Sequence, residues 1–394
     1  MRTSTHARKP AAMPALLLMG VLGGCATPAP PPVPQGSVAP IAPDVTGKST
    51  TLPVPPTSDD ADLATMRADF VRATSERFDI PAGEIAAVLE GAEIQQSIIT
   101  AMSRPAERTR AWHEYRPIFL GDERISGGRA FLAAHREALA EVEARTGVPA
   151  EIIVAIIGVE TRYGTITGTY DVVDALYTLA FAYPRTGDPA QAGREDRREL
   201  FFRDELAHLF ALAREQDLDI AGLKGSYAGA MGWGQFMPSS YRKHAVDGDA
   251  DGRVDLFGNL DDVFASIANY FLERGDWQRG APVMVRAVKA PGAVEYNAED
   301  TDDPLLSQEE LAGLGYRPSM PVPADARANI IRLEGASGPE YWMIFHNFKA
   351  ITEYNNSRMY ASAVYQLARE IAGDPVASPD SVQVPHEPVA PPAA

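Results

Sequence analysis

The chain has 394 residues, 45% of them hydrophobic and 23% charged, with a formal charge of −17. That length and balance support a sizeable core in two or three structural units. The acidity argues against nucleic acid as a partner, because phosphates need a basic face. One cysteine excludes an internal disulfide framework and a zinc site of CxxC type.

Arg2, Arg8 and Lys9 precede the apolar run Ala15–Leu22, then Gly23-Gly24-Cys25. A basic start, an apolar stretch too short to span a bilayer and small residues at the end predict a secretory signal over residues 1–24. Leu22-Gly23-Gly24-Cys25 resembles the bacterial lipobox, and the only cysteine of the chain stands in it. The resemblance implies lipidation of Cys25. Ala26 behind it implies the periplasmic face of the outer membrane as the location. Ten prolines and no aromatic residue between Ala26 and Pro56 predict an extended tether over residues 25–59. The segment 374–394 reads as a similar disordered tail.

Most of residues 60–373 reads as helix. Leu63, Met66, Phe70 and Val71 recur at helical spacing. Ile85, Val88 and Leu89 follow behind Pro81, a good first-turn residue. Phe131, Leu132, His135, Leu139 and Val142 make another stripe, in which His135 reads as a packing residue. The run from Pro149 to Glu160 is apolar nearly all round and predicts a central buried helix. Further helices are expected at Val172–Phe181, Leu200–Gln216, Val263–Arg274 and Met359–Ile371. Val283–Val288, Ile330–Leu333 and Tyr341–Phe345 read as short strands, a small β insertion in an α protein.

The sequence has no HExxH, GxSxG or P-loop, and its seven histidines show no metal-ligand spacing. Carboxylates, aromatics and glycines remain, which suit a carbohydrate site. Glu160 closes the buried helix in Gly158-Val159-Glu160-Thr161-Arg162-Tyr163-Gly164. Burial disfavours its ionised form, and the helix C-terminus carries partial negative charge. Both raise its pKa, the condition a general acid needs, as in lysozyme. The bland alternative is a structural ion pair with Arg162 or Arg185.

A second segment runs Lys224-Gly225-Ser226-Tyr227-Ala228-Gly229-Ala230-Met231-Gly232-Trp233-Gly234-Gln235-Phe236-Met237-Pro238-Ser239-Ser240-Tyr241. Its glycines make a poor helix interior and a poor strand. They allow a ligand close to the backbone. Aromatic faces suit sugar C–H faces, and Gln235 or Ser226 can bond hydroxyls or an acetamido group. The alternative is a glycine-rich turn with core aromatics. Downstream, Asp247-Gly248-Asp249-Ala250-Asp251-Gly252 has the front half of an EF-hand loop. Alternate carboxylates converge on one hard cation there, Gly252 permits the turn, and Arg253 offers its backbone oxygen. The usual glutamate at position twelve is missing; Gly258 stands there.

The Glu160 and Ser226–Tyr241 segments, with Asn347-Phe348-Lys349-Ala350-Ile351-Thr352-Glu353-Tyr354-Asn355, resemble the membrane-bound lytic murein transglycosylase B family over roughly residues 60–373. The resemblance implies a mainly α fold with a lysozyme-like, goose-type core over residues 131–280. It implies a helical N-terminal part over 60–130, a small β insertion over 281–340 and a return to the core over 341–373. It implies cleavage of the MurNAc–GlcNAc β-1,4 bond of peptidoglycan glycan strands, leaving 1,6-anhydroMurNAc ends. Glu160 matches the family's single catalytic acid/base. Ser226, Gln235, Phe236, Tyr115, Tyr270, Tyr354, Asn355 and Tyr360 match substrate-binding positions. Two adjacent family arginines correspond to Arg185 and Arg198, separated here by an apparent insertion from Thr186. In the acidic loop, the resemblance implies a structural Ca²⁺ on Asp247, Asp249, Asp251 and Arg253, closed by Asp262 or its neighbour Asp261. No organic cofactor is implied. The same scaffold also suits a hydrolytic muramidase or a non-catalytic peptidoglycan-binding lipoprotein.

Overall fold

The computed structural model describes residues 61–103, 110–298, 301, 303 and 305–374. The expected signal, Cys25, the tether and nearly all of the tail lie outside these residues.

Six helices lead the chain: α1 (Ala61–Phe78), α2 (Ala82–Glu90), α3 (Gln96–Ser103), α4 (Trp112–Phe119), α5 (Asp122–Ala134) and α6 (Arg136–Thr146). The stripe expected to be one helix through His135 is therefore two. His135 leaves helical backbone at φ −114, ψ 23. The kink lets its ring lie 4.5 Å from Phe131 and 5.7 Å from Phe264. Next comes α7 (Ala150–Thr161), in which every residue from Ile152 to Thr161 is buried. A helix apolar on all sides is satisfied only when other helices surround it; α5, α6, α11 (Leu260–Glu273) and α14 (Arg358–Ala372) pack against it.

Then follow β1 (Tyr170–Asp171), α8 (Val172–Phe181) and α9 (Pro189–Glu215). α9 begins eleven residues before the expected Leu200. Pro189 stands in its first turn and the Asp188 side chain accepts from Ala190 N at 2.9 Å. The apparent insertion thus forms the opening turns of α9. It carries no apolar stripe, so periodicity could not find it. β2 (Lys224–Gly225) pairs antiparallel with β1, and α10 (Pro238–His244) and α11 follow.

The sheet of the insertion has the order β4-β3-β6-β5, all antiparallel neighbours. Its strands are β3 (Met284–Lys289), β4 (Tyr316–Pro318), β5 (Asn329–Gly335) and β6 (Gly338–Ile344), with α12 (Gln308–Gly313) before β4. Ile331, Leu333, Trp342 and Ile344 point to the main core. Val285, Ile330 and Met343 face a second small core with Leu311, Tyr316 and Phe345. A sheet buried on both faces reads as continuous apolar runs, which is why three of its strands show in the sequence. α13 (His346–Tyr354) and α14 return the chain to the main core.

Candidate active site

Glu160 sits in the last turn of α7 with 8% of its surface exposed. The Tyr360 hydroxyl, from the first turn of α14, donates to Glu160 Oε1. Neither arginine of the ion-pair alternative appears in that bond. Arg185 instead pairs with Asp196 at 2.7 Å and with Glu199. Burial and the Glu160 charge hold the Tyr360 and Tyr354 hydroxyls well above the ordinary phenol range. Both therefore stay protonated and act as donors. Tyr115 is buried in α4 with its ring 5.2 Å from Phe119.

Tyr354 ends α13, and its hydroxyl donates to Gly234 O at 2.6 Å. Its ring lies 5.0 Å from Tyr270 and 5.9 Å from Phe236, and Phe236 is 5.6 Å from Tyr270. Three aromatics from α11, α13 and the glycine-rich segment thus converge. Tyr270 donates to Glu353 O at 2.7 Å, and burial pushes its pKa up to about 12. Asn355, the next residue along, is fully buried, yet neither amide atom has a hydrogen-bond partner. A buried amide without partners is costly.

Beyond β2, the glycine-rich segment is a set of tight turns from Ser226 to Phe236. Ser226 Oγ accepts from Ala228 N at 3.3 Å and Ala230 N at 3.1 Å, leaving its hydroxyl proton to donate. Gln235 adopts left-handed backbone at φ 52. Its amide nitrogen donates to Thr167 O at 3.1 Å and Gly232 O at 3.0 Å. Sequence reading expects that amide to face sugar; both of its protons instead hold two loops together, and only Oε1 remains for a ligand. Gly168, at φ 101, sits where a Cβ would come within 2.0 Å of Gly225, so only glycine lets these loops close. Thr161 Oγ1 donates to Trp233 O at 3.2 Å, joining the residue after Glu160 to this wall.

Arg185 and Arg198 belong to another neighbourhood. The opening turns of α9 supply Asp196 to Arg185, and Arg198 lies 5.4 Å over the Phe202 ring.

In the acidic loop, carboxylate oxygens of Asp247, Asp249 and Asp251 lie within 4.8 Å of one another. Gly252 takes φ 90, the turn its position requires. Asp262 reaches the loop from the first turn of α11. It is fully buried, and its two oxygens accept from Gly248 N and Asp255 N, each at 2.7 Å. It braces both sides of the loop from α11 and stands outside the group of three. Burial raises its pKa, and the Asn259 amide lowers that of Asp249. Arg253 enters through its backbone N–H, donated to Asp251 Oδ1 at 2.8 Å. The loop is clipped to the glycine-rich turns: Trp233 N donates to Leu256 O at 3.1 Å and its indole to Phe257 O at 3.0 Å.

The fold is mainly helical and lysozyme-like, and enzymes of that class cut glycan chains with carboxylates set among aromatics. Residues 62–369 match the model of the transglycosylase SLT domain, and the chain belongs to that family. It is a peptidoglycan-cleaving lytic murein transglycosylase. The membrane-bound lytic murein transglycosylase B of Escherichia coli (strain K12) is 39% identical over 278 residues, 70% of this chain and 72% of that one. The crystal structure of soluble lytic transglycosylase SltB1 from Pseudomonas aeruginosa is 43% identical with a TM-score of 0.68, covering 78% of this chain and 98% of that one. The Escherichia coli lytic transglycosylase Slt35 in complex with calcium is 35% identical with a TM-score of 0.68, covering 78% and 92%.

Proposed function

We propose that Glu160 performs both proton transfers of a lytic cleavage of the MurNAc–GlcNAc β-1,4 bond. The observation that carries this is a single buried carboxylate at the end of α7, bonded by Tyr360 and faced by tyrosines. Glu160 protonates the glycosidic oxygen as the C1–O bond breaks. The N-acetyl oxygen of MurNAc attacks C1 and holds the developing cation. Ionised Glu160 then removes the proton from the C6 hydroxyl, and O6 displaces the N-acetyl oxygen from C1, restoring the acetamido group and giving the 1,6-anhydro end. No water is consumed, and the glutamate ends protonated as it began. Phe236, Tyr270 and Tyr354 supply ring faces, and Asn355 and Ser226 supply polar contacts to the glycan.

Glu160→Gln keeps shape but cannot donate the proton. Activity on purified sacculi should fall on the order of 10²–10⁴-fold, while binding to sacculi survives. Mass analysis of wild-type muropeptides should find ends lighter by one water than reducing MurNAc. Mainly reducing ends would assign the chemistry to a muramidase, and near-full activity of the variant would remove Glu160 from its role.

The reading extends to calcium and to the membrane. Asp247, Asp249 and Asp251 supply the hard oxygen donors that Ca²⁺ takes. The ion would hold the loop that Trp233 clips to the wall and would do no chemistry. The lipobox at Cys25 and the membrane-bound relative support a lipid anchor at the periplasmic face of the outer membrane. Among the described residues no helix is long and apolar enough to cross a membrane.

A further inference from the structure

The carbonyls at the end of α7 have an unusual partner. The last four C=O groups of a helix have no donor within it. At this end the N–H groups of Arg162 and Tyr163 both turn back to Ile157 O, from left-handed backbone at φ 49 and φ 58. Thr161 O accepts from Ile166 N at 2.9 Å. Gly158 O and Val159 O, the two carbonyls just before Glu160, meet the Arg124 guanidinium of α5. Its Nη1 donates to Gly158 O at 2.5 Å and lies 3.5 Å from Val159 O.

The attachment is reciprocal. Tyr163, three residues beyond Glu160, donates its hydroxyl to Arg124 O at 2.7 Å. A Cβ at Gly158 would meet that hydroxyl at 2.7 Å, so glycine there leaves room for the Tyr163 ring. The Phe119 ring lies 5.3 Å from the Arg124 guanidinium. Burial, with Arg162 nearby, works against this cation and lowers its pKa. An apolar residue would avoid that penalty but leave two carbonyls without a donor, so the cation is retained against a cost to itself.

We propose that Arg124 is a positioning residue for the reaction at Glu160. It locks the last turn of α7 to α5 and so fixes the carboxylate against Tyr360 and the sugar wall. The inference rests on Glu160 as the reacting group. A misplacement of about 1 Å at a reacting group can cost on the order of 10²-fold in rate. A cation at a helix C-terminus also offsets the negative end of the dipole next to the carboxylate.

The test is the kcat and KM of Arg124→Met and Arg124→Lys on a soluble glycan strand of defined length. Circular dichroism melts identify a temperature at which each variant is folded. In Arg124→Met, kcat should fall tenfold or more with KM within twofold of wild type. Arg124→Lys, which keeps the cation and a donor, should recover at least half of that loss on a logarithmic scale. A folded Met variant with kcat within twofold of wild type overturns the proposal, as does a Lys variant no better than Met. Should the Met variant not fold, Tyr163→Phe decides. It deletes one hydroxyl of the same lock, and a threefold or larger fall in kcat supports the role while an unchanged kcat overturns it. Glu160→Gln runs alongside. If it is inactive while Arg124→Met is normal, only the positioning role fails. If it is active, the reading of Glu160 itself fails.

Discussion

Tyr360 donates its phenolic proton to the buried Glu160. A hydrogen bond donated to a carboxylate favours the ionised form, whereas burial favours the neutral one. Tyr360→Phe keeps the ring and removes the donor. A hydrogen bond to a charged group contributes about 1.5–3 kcal/mol, so kcat should fall roughly tenfold to a hundredfold at little change in KM. Steady-state rates on soluble glycan measure this, and a rate equal to wild type would leave Tyr360 a packing residue. The sequence located Glu160 through its apolar helix. It could not show that a hydroxyl 200 residues away would meet it, nor that Arg124 would cap the same turn. A lone arginine in a weakly patterned helix gives no signal before the helices dock.

At the scale of elements, α9 carries a buried Glu205 and, one turn on, a half-buried His208 whose titrations oppose each other. Glu205 accepts from Ser239 N at 2.9 Å and Oγ at 2.5 Å, capping α10 from a neighbouring helix. Burial pushes its pKa up to about 7. His208 lies between guanidinium groups, with Nδ1 2.5 Å from Arg242 Nη1 and Nε2 3.2 Å from Arg77 Nη2. Burial, joined by these charges, lowers its pKa to about 4. Between pH 4.5 and 6.5 the folded chain keeps the proton on Glu205, and the unfolded chain keeps one on His208. The two contributions to the pH dependence of stability therefore cancel in that window. Glu205→Gln removes the first, so relative to wild type its stability should rise with pH, at about 1.4 kcal/mol per unit. His208→Phe removes the second, so relative to wild type its stability should fall with pH by a similar slope. Urea melts at pH 5.0 and 6.0 decide the matter, and parallel shifts in all three proteins would refute it. Periodicity exposed the apolar stripe of α9 from Leu200 onward. Neither the cap nor the guanidinium sandwich has a sequence signature, because each joins residues from helices far apart in the chain.

Across the whole molecule, the acidic loop and the glycine-rich turns are joined through Trp233. A cation on Asp247, Asp249 and Asp251 should then stabilise the fold at a distance from the chemistry. A ligand binding only the native state at a hundred times its Kd adds about 2.7 kcal/mol. The melting temperature of chelator-treated protein should rise by several degrees with added Ca²⁺, and Asp251→Ala should erase the rise. A melt insensitive to calcium in the wild type would count against the metal. The membrane reading belongs to this scale as well. Cys25→Ala should release protein from outer-membrane fractions into the soluble periplasm, followed by immunoblot. Equal membrane partition of wild type and variant would sink the lipid anchor.

What the sequence determined by itself is local. An all-round apolar run makes a buried helix, Asp-x-Asp-x-Asp-Gly makes a turn of carboxylates, and glycines among aromatics make a loop that closes tightly. Three short apolar runs make strands, because both faces of their sheet are covered. Each of these follows from a few neighbouring residues and a known periodicity. What only the tertiary structure decided is where polar capacity is spent. Gln235 has its amide protons committed to backbone, Asp262 braces loop ends, Arg185 is neutralised by the opening turns of α9, and Asn355 is left buried with its amide unpartnered. Those outcomes depend on which donors and acceptors meet across long separations. Hydrogen bonds are short and directional, so sequence spacing fixes none of them until the helices have packed.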